Sequence, residues 1–174
     1  MKLIITGACG HIGSYVAENI FKIKKIKKTI LIDNLKSNRF CSLFDQKTKN
    51  KLEFHLADLT DEKSLDKFRK IDYLIHCASM TNAEKSFGKE KKMYKNNLDC
   101  LKTVINFCKK NKVKLIHMSS TSVYGKQAAL VDETCEKKYL KPQSPYAKIK
   151  LIEERMLKKE KKLNYTTFRF GTIS

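Results

Sequence analysis

Arginine is nearly missing from this strongly basic chain. Of 37 Lys plus Arg residues only Arg39, Arg69, Arg155 and Arg169 are arginine, so 33 are lysine, and the formal net charge is +19 over 174 residues. Arginine is the better reader of base edges, and the lysines are spread through runs such as KIKKIKK (22–28) and LKKEKKL (157–163) rather than gathered in one patch. Both features argue against a nucleic-acid partner. The six cysteines form no Cys-x-x-Cys pair, which fits reduced thiols and not a disulfide framework. His11, His55, His76 and His117 show no ligand-like spacing, so no metal site is expected. No apolar run approaches a membrane span, and MKLIITGACG has neither the basic start nor the apolar length of a signal peptide. A cytoplasmic, soluble protein without a membrane partner is expected. Proline occurs only at 142 and 145, no repeat is visible, and the length suits one well-packed domain over 1–174.

What the chain does have is alternation. Short apolar runs suited to strands occur at 2–6, 29–33, 52–56, 73–77, 114–119 and 166–170. They are nearly continuous in hydrophobicity, as strands buried on both faces of a parallel sheet must be. Between them helices are expected to begin near His11, Asp61, Lys91 and Pro145. In the helix from Lys91, Met93, Leu98, Leu101, Val104, Ile105 and Cys108 recur at helical spacing while Lys102, Lys109 and Lys110 face away. This order predicts an α/β fold, a doubly wound parallel sheet with right-handed crossovers. Two long segments, 34–51 and 125–143, are left as loops.

TGACGHIG (6–13) leaves the first strand and opens the first helix, the context that gives a glycine motif its meaning. Gly7 lets the chain turn, Gly10 lets the backbone approach a pyrophosphate, and Gly13 lets helix and strand pack closely. The free N–H groups at the helix start, around His11 and Ile12, are then placed to bind phosphates. Asp33 ends the second strand twenty residues beyond Gly13. There a carboxylate accepts hydrogen bonds from ribose hydroxyls and repels a 2′-phosphate, favouring NAD over NADP, with Lys36 and Arg39 near enough to soften the preference. A plain turn cap is the alternative role for Asp33.

Together TGACGHIG, DN (33–34), ADLTD (57–61), HCAS (76–79), YKNN (94–97), SSTSVYG (119–125), SPYAKIK (144–150) and FRFG (168–171) resemble the extended short-chain dehydrogenase/reductase family, specifically its nucleotide-sugar epimerases and dehydratases. The resemblance runs in family order over essentially the whole chain. It implies a Rossmann fold, NAD as cofactor and a nucleotide sugar as substrate. It places Asn34 beside Asp33, Asp58 and Leu59 at the adenine end, Ala78 and Ser79 along the ribose and phosphates, and Asn97 as support from a helix. It makes Ser120 the serine that shares the substrate oxygen, and it adds Tyr146 and Lys150 to the cofactor contacts. It also implies that the C-terminal substrate-binding region is largely absent after the sixth strand, leaving a fragment, a truncated gene product or a domain completed by another chain that supplies the missing region, with a homodimer as the other assembly.

Tyr-x-x-x-Lys alone is weak, since roughly one such spacing is expected by chance in so lysine-rich a chain. On a helix, however, Tyr146 and Lys150 share one face, and Ser144 with Pro145 marks where that helix begins. An ammonium about 6 Å from a phenol, at an effective dielectric of about 20, favours the phenolate by roughly 2.8 kcal/mol, or about two pKa units. The resemblance implies that Tyr146 takes a proton from a sugar hydroxyl, Ser120 bonds the same oxygen and Lys150 holds the nicotinamide ribose, with hydride passing to NAD and back to give an epimer. The family's 4,6-dehydratases carry Asp and Glu where this chain has Thr121 and Ser122, which disfavours dehydration. A family reductase acting on another alcohol, or a non-catalytic NAD-binding module, are the other readings.

Overall fold

The computed structural model describes residues 1–44, 51–81, 90–127 and 130–171. Parts of the two long loops, 45–50 and 128–129, and the last three residues, 172–174, lie outside the described residues. Six strands form one parallel sheet: β1 (Lys2–Thr6), β2 (Lys28–Asp33), β3 (Leu52–Leu56), β4 (Tyr73–His76), β5 (Lys114–Ser120) and β6 (Tyr165–Phe170). Their spatial order is β3-β2-β1-β4-β5-β6. The helices are α1 (His11–Asn19), α2 (Glu90–Asn111) and α3 (Pro145–Lys159). Every expected strand is present to within a residue at either end.

Side chains alternate across a strand, and both faces of this sheet are covered. In β1, Ile4 joins Ile30, Ile32, Leu74 and Leu115 against Leu101, Val104 and Ile105 of α2. Its neighbours Leu3 and Ile5 point the other way, with Leu31 and Ile75, against Ala17 of α1 and Ile20 just after it. That double burial explains the unbroken apolar runs. The edge strands β3 and β6 are only partly buried, and Phe168 on β6 is half exposed.

One element differs from expectation. The segment after Asp61 is a succession of tight turns closed by Ser64 N to Asp61 O, Asp66 N to Lys63 O and Phe68 N to Leu65 O. Asp58 and Asp61 each accept the amide two residues on, at 2.9 and 3.0 Å. Such local bonds compete with helical ones and divert the chain into turns. Leu65, Phe68 and Ile71 still reach the core, so the apolar spacing serves packing without a helix.

Candidate active site

The strand order reverses between β1 and β4, so the chains leaving these strands diverge and open a crevice at the sheet's C-terminal edge. Gly7, at φ +67°, starts the turn out of β1. A Cβ there would lie 2.5 Å from Ala78 N and 2.6 Å from Ala78 Cα, so the segment after β4 can approach only because position 7 has no side chain. A Cβ at Gly13 would fall 2.2 Å from Gly7 O, which is what lets α1 sit against the turn. Gly10 differs, because among the described residues its Cβ would meet only Gly7 O, at 3.1 Å. Gly10 is the N-cap of α1 and bears no side chain to cap it, and no acidic residue stands in the first turn. The leading N–H groups at His11, Ile12 and Gly13 are thus left for an anion, and the space beside Gly10 is a cradle that a side chain would fill.

Asp33 closes one side of the crevice. Its Oδ2 accepts Cys9 N at 2.9 Å and its Oδ1 accepts Leu35 N at 2.8 Å, so this carboxylate both caps the next turn and holds the glycine turn in place. Asp58 lies beside it, taking Lys36 Nζ at 2.6 Å and Asn34 Nδ2 at 3.4 Å. Burial pushes the Asp58 carboxyl up, but the Lys36 ammonium and the Thr60 donors outweigh it and bring it to about 2. Lys36 is therefore committed to Asp58. Leu59 is buried in the core behind.

After β4, Ala78 and Ser79 line the opposite wall. Asn97 of α2, 1% exposed, clamps them: its Oδ1 accepts Met80 N at 2.8 Å, and its Nδ2 donates to Ser79 Oγ at 2.9 Å and Met80 O at 3.1 Å. Asn97 thus shapes this wall through the backbone of 79–80.

At the end of β5, Ser120 Oγ accepts Ser122 N at 3.2 Å and Ser122 Oγ at 2.9 Å, leaving its own hydrogen free to donate. Ser119 is used otherwise, donating to Glu154 Oε1 at 2.6 Å, while Arg169 of β6 grips the same carboxylate at 3.0 and 2.7 Å. Ser144 caps α3 by accepting Ala147 N at 3.1 Å, with Pro145 at the first helical position. One turn on, Lys150 Nζ stands 5.8 Å from the Tyr146 ring centroid.

The acidity expected of Tyr146 needs correction. Burial pushes the phenol above its ordinary value; Lys150 pulls it down, and Glu153 pushes it up again. The ammonium lies over the ring, but it is paired. Lys150 Nζ donates to Glu153 Oε2 at 2.8 Å, and the same oxygen meets His117 Nε2 at 2.9 Å, all three groups being buried. A cation with its counter-ion attached acts on a phenol as a dipole, so desolvation wins.

Glu153 and His117 were not singled out in the sequence. They belong to a polar row at one level of the sheet: Thr6, His76, His117 and Thr167 are register partners on β1, β4, β5 and β6. Thr6 Oγ1 lies 2.9 Å from His76 Nδ1, the two imidazoles stack at 6.4 Å, and Thr167 Oγ1 is 3.4 Å from His117 Nδ1. Burial holds both imidazoles below their ordinary values, His76 at about 3. The visible signal was two histidines at equivalent ends of neighbouring strands, HCAS and HMSS.

A crevice at a strand-order reversal, floored by an uncapped helix start, is where doubly wound folds bind dinucleotides, and this chain is of that class. It belongs to the NAD dependent epimerase/dehydratase family, whose model matches residues 3–174. UDP-glucose 4-epimerase of Schizosaccharomyces pombe is 30% identical over 173 residues, covering 93% of this chain and 47% of that protein. A dTDP-D-glucose 4,6-dehydratase of Dictyostelium discoideum is 29% identical, covering 99% and 42%. Among solved structures, the UDP-Glc/GlcNAc 4-epimerase of Campylobacter jejuni superposes with a TM-score of 0.85 at 26% identity, covering 97% of this chain and 52% of that one. The chain spans about half the length of the relatives it matches.

Proposed function

We propose that this chain is the cofactor-binding half of a nucleotide-sugar epimerase, with NAD as cofactor and Tyr146 as the base. The observation that carries the reading is Tyr146 and Lys150 on one helix face, Nζ 5.8 Å from the ring, on the helix that follows the strand ending in Ser120. Gly7, Gly10, Gly13 and the amides of His11 and Ile12 would hold the pyrophosphate; Asp33 with Asn34 would take the adenosine ribose, and Asp58 and Leu59 would border the adenine. Ala78 and Ser79, braced by Asn97, would line the other wall. Bound NAD would supply the hydride acceptor and donor and, through its positive ring, a further charge favouring the Tyr146 phenolate. Tyr146 takes the proton of the sugar hydroxyl onto its Oη and later returns it. Ser120 donates its free hydrogen to the same sugar oxygen, and Lys150 orients the nicotinamide ribose.

Relatives include both epimerases and a dehydratase, so similarity does not choose between them. The side chains favour epimerisation, because Thr121 and Ser122 offer no titratable group for eliminating water and Ser122 is turned toward Ser120. The test is Tyr146→Phe in the full chain, incubated with NAD and UDP-glucose. Interconversion should fall by at least about 100-fold, the usual contribution of a positioned base, with NAD affinity within threefold of wild type. Unimpaired turnover in this variant overturns the assignment of Tyr146. Net accumulation of NADH would favour a dehydrogenase, and activity independent of Tyr146, or none in the wild type, a binding module.

A further inference from the structure

Lys150 is 3% exposed, so its ammonium reaches its place through the interior of the fold. Among the described residues its one ion-pair partner is Glu153. Glu153 Oε2 is shared: it accepts from Lys150 on one side and faces His117 Nε2 on the other. Burial holds His117 below its ordinary value, and Glu153 Oε2, which can only accept, faces its Nε2 at 2.9 Å; the ring proton therefore sits on Nε2, donated to Glu153, and Thr167 Oγ1, 3.4 Å from the bare Nδ1, can donate to it. His117 cannot swing away, since it sits in register between His76 of β4 and Thr167 of β6. The carboxylate is therefore located by the sheet, and the ammonium by the carboxylate. The pair also cancels its own charge, so Lys150 offers its donors to a cofactor whose oxidised ring is positive without adding a net positive charge.

We propose that Glu153 is a positioning residue: anchored to β5 by His117, it fixes the Lys150 ammonium at the point from which Lys150 would hold the cofactor ribose. This inference rests on the function proposed above. A carboxylate that only pinned α3 to β5 would show the same contacts, and a double-mutant cycle on cofactor affinity separates the two.

NAD⁺ binding to the full chain is measured by titration calorimetry for the wild type, Lys150→Met, Glu153→Gln and the double variant, with near-UV circular dichroism confirming folding. Glu153→Gln should raise Kd about tenfold when Lys150 is present and less than about threefold in the Lys150→Met background, because only the first has an ammonium to misplace. A ratio above three between these two factors supports the proposal. A ratio of three or less, including no effect in either background, overturns it. Should Lys150→Met bind NAD⁺ like the wild type, Lys150 does not hold the cofactor, and the functional reading of Lys150 falls together with this one. If Lys150→Met weakens binding and the two factors are equal, only the role of Glu153 falls. Where Glu153→Gln does not fold, Glu153→Asp, which keeps the charge and withdraws it by one methylene, is carried through the same cycle under the same criterion.

Discussion

Gly7→Ala and Gly10→Ala should fail in opposite ways, although both alter the same short turn. At Gly7 the backbone is left-handed, which costs an alanine about 1–2 kcal/mol. The new Cβ would also lie 2.5–2.7 Å from Ala78 N, Ala78 Cα and Cys77 C, all main-chain atoms that yield only if the end of β4 moves. Together about 3 kcal/mol of stability should be lost, which for a domain of this size lowers Tm by about 6–12 °C. At Gly10 the backbone is extended, φ −72° and ψ 171°, and among the described residues the only close neighbour of a Cβ is Gly7 O at 3.1 Å. The stiffer unfolded chain gains the variant about 0.4–1 kcal/mol, which offsets that contact, so Tm should stay within about 3 °C of wild type. Its methyl group instead occupies the cradle, and NAD affinity should fall at least about tenfold, or about 1.4 kcal/mol. Thermal unfolding by circular dichroism and calorimetric titration with NAD⁺ read both variants. A Gly10→Ala chain that binds within twofold of wild type refutes the pyrophosphate cradle; a Gly7→Ala chain that melts with the wild type refutes the close approach of β1 and β4.

Asn97→Ala removes three hydrogen bonds to residues 79–80 and leaves Met80 N without its partner, so denaturant unfolding should show a loss of about 2–3 kcal/mol; a change under 0.5 kcal/mol would show that the wall holds itself. Acid should destabilise the chain from near neutrality. His76 and His117 are held below 6.5 and Glu153 is brought to about 2 from 4.5, burial being outweighed there by Lys150 and His117. In each case the unfolded chain takes up protons that the folded one resists, so stability is full above about pH 6.5. The histidine contributions are lost as pH falls below that value, and that of Glu153 as pH falls from 4.5 toward 2. The denaturant midpoint should therefore decline steadily from pH 7 to pH 4, and a flat profile between 7 and 5 would contradict the buried neutral imidazoles.

The sheet was legible because burial on both faces writes itself into the sequence as unbroken apolar runs, and each of the six runs became a strand. The glycine turn was legible for a different reason: Gly7 and Gly13 serve two separate close approaches within the fold while Gly10 leaves a space clear, and their spacing reports it. What could not be read were features decided by partners distant in sequence. Spacing after Asp61 suited a helix, but two aspartates bonding their own backbone broke it into turns. Glu153, three residues after Lys150, carries no signal of its own in the sequence; its place in the interior depends on His117, 36 residues before it. The same omission led the phenol of Tyr146 to be placed too low, since a lysine counted alone exerts a field that a lysine with its counter-ion does not.

The consecutive glutamates of α3 divide their work between two strands, Glu153 fastening to His117 of β5 and Glu154 to Ser119 of β5 and Arg169 of β6. A helix bolted at neighbouring positions along its length resists rolling about its own axis, so the angle at which α3 presents the Tyr146 ring is set by the sheet and not by the loop before it. A distortion applied to β6 would travel through Arg169 and Glu154 to α3 and turn that ring, coupling the sheet to the aromatic hydroxyl through the helix.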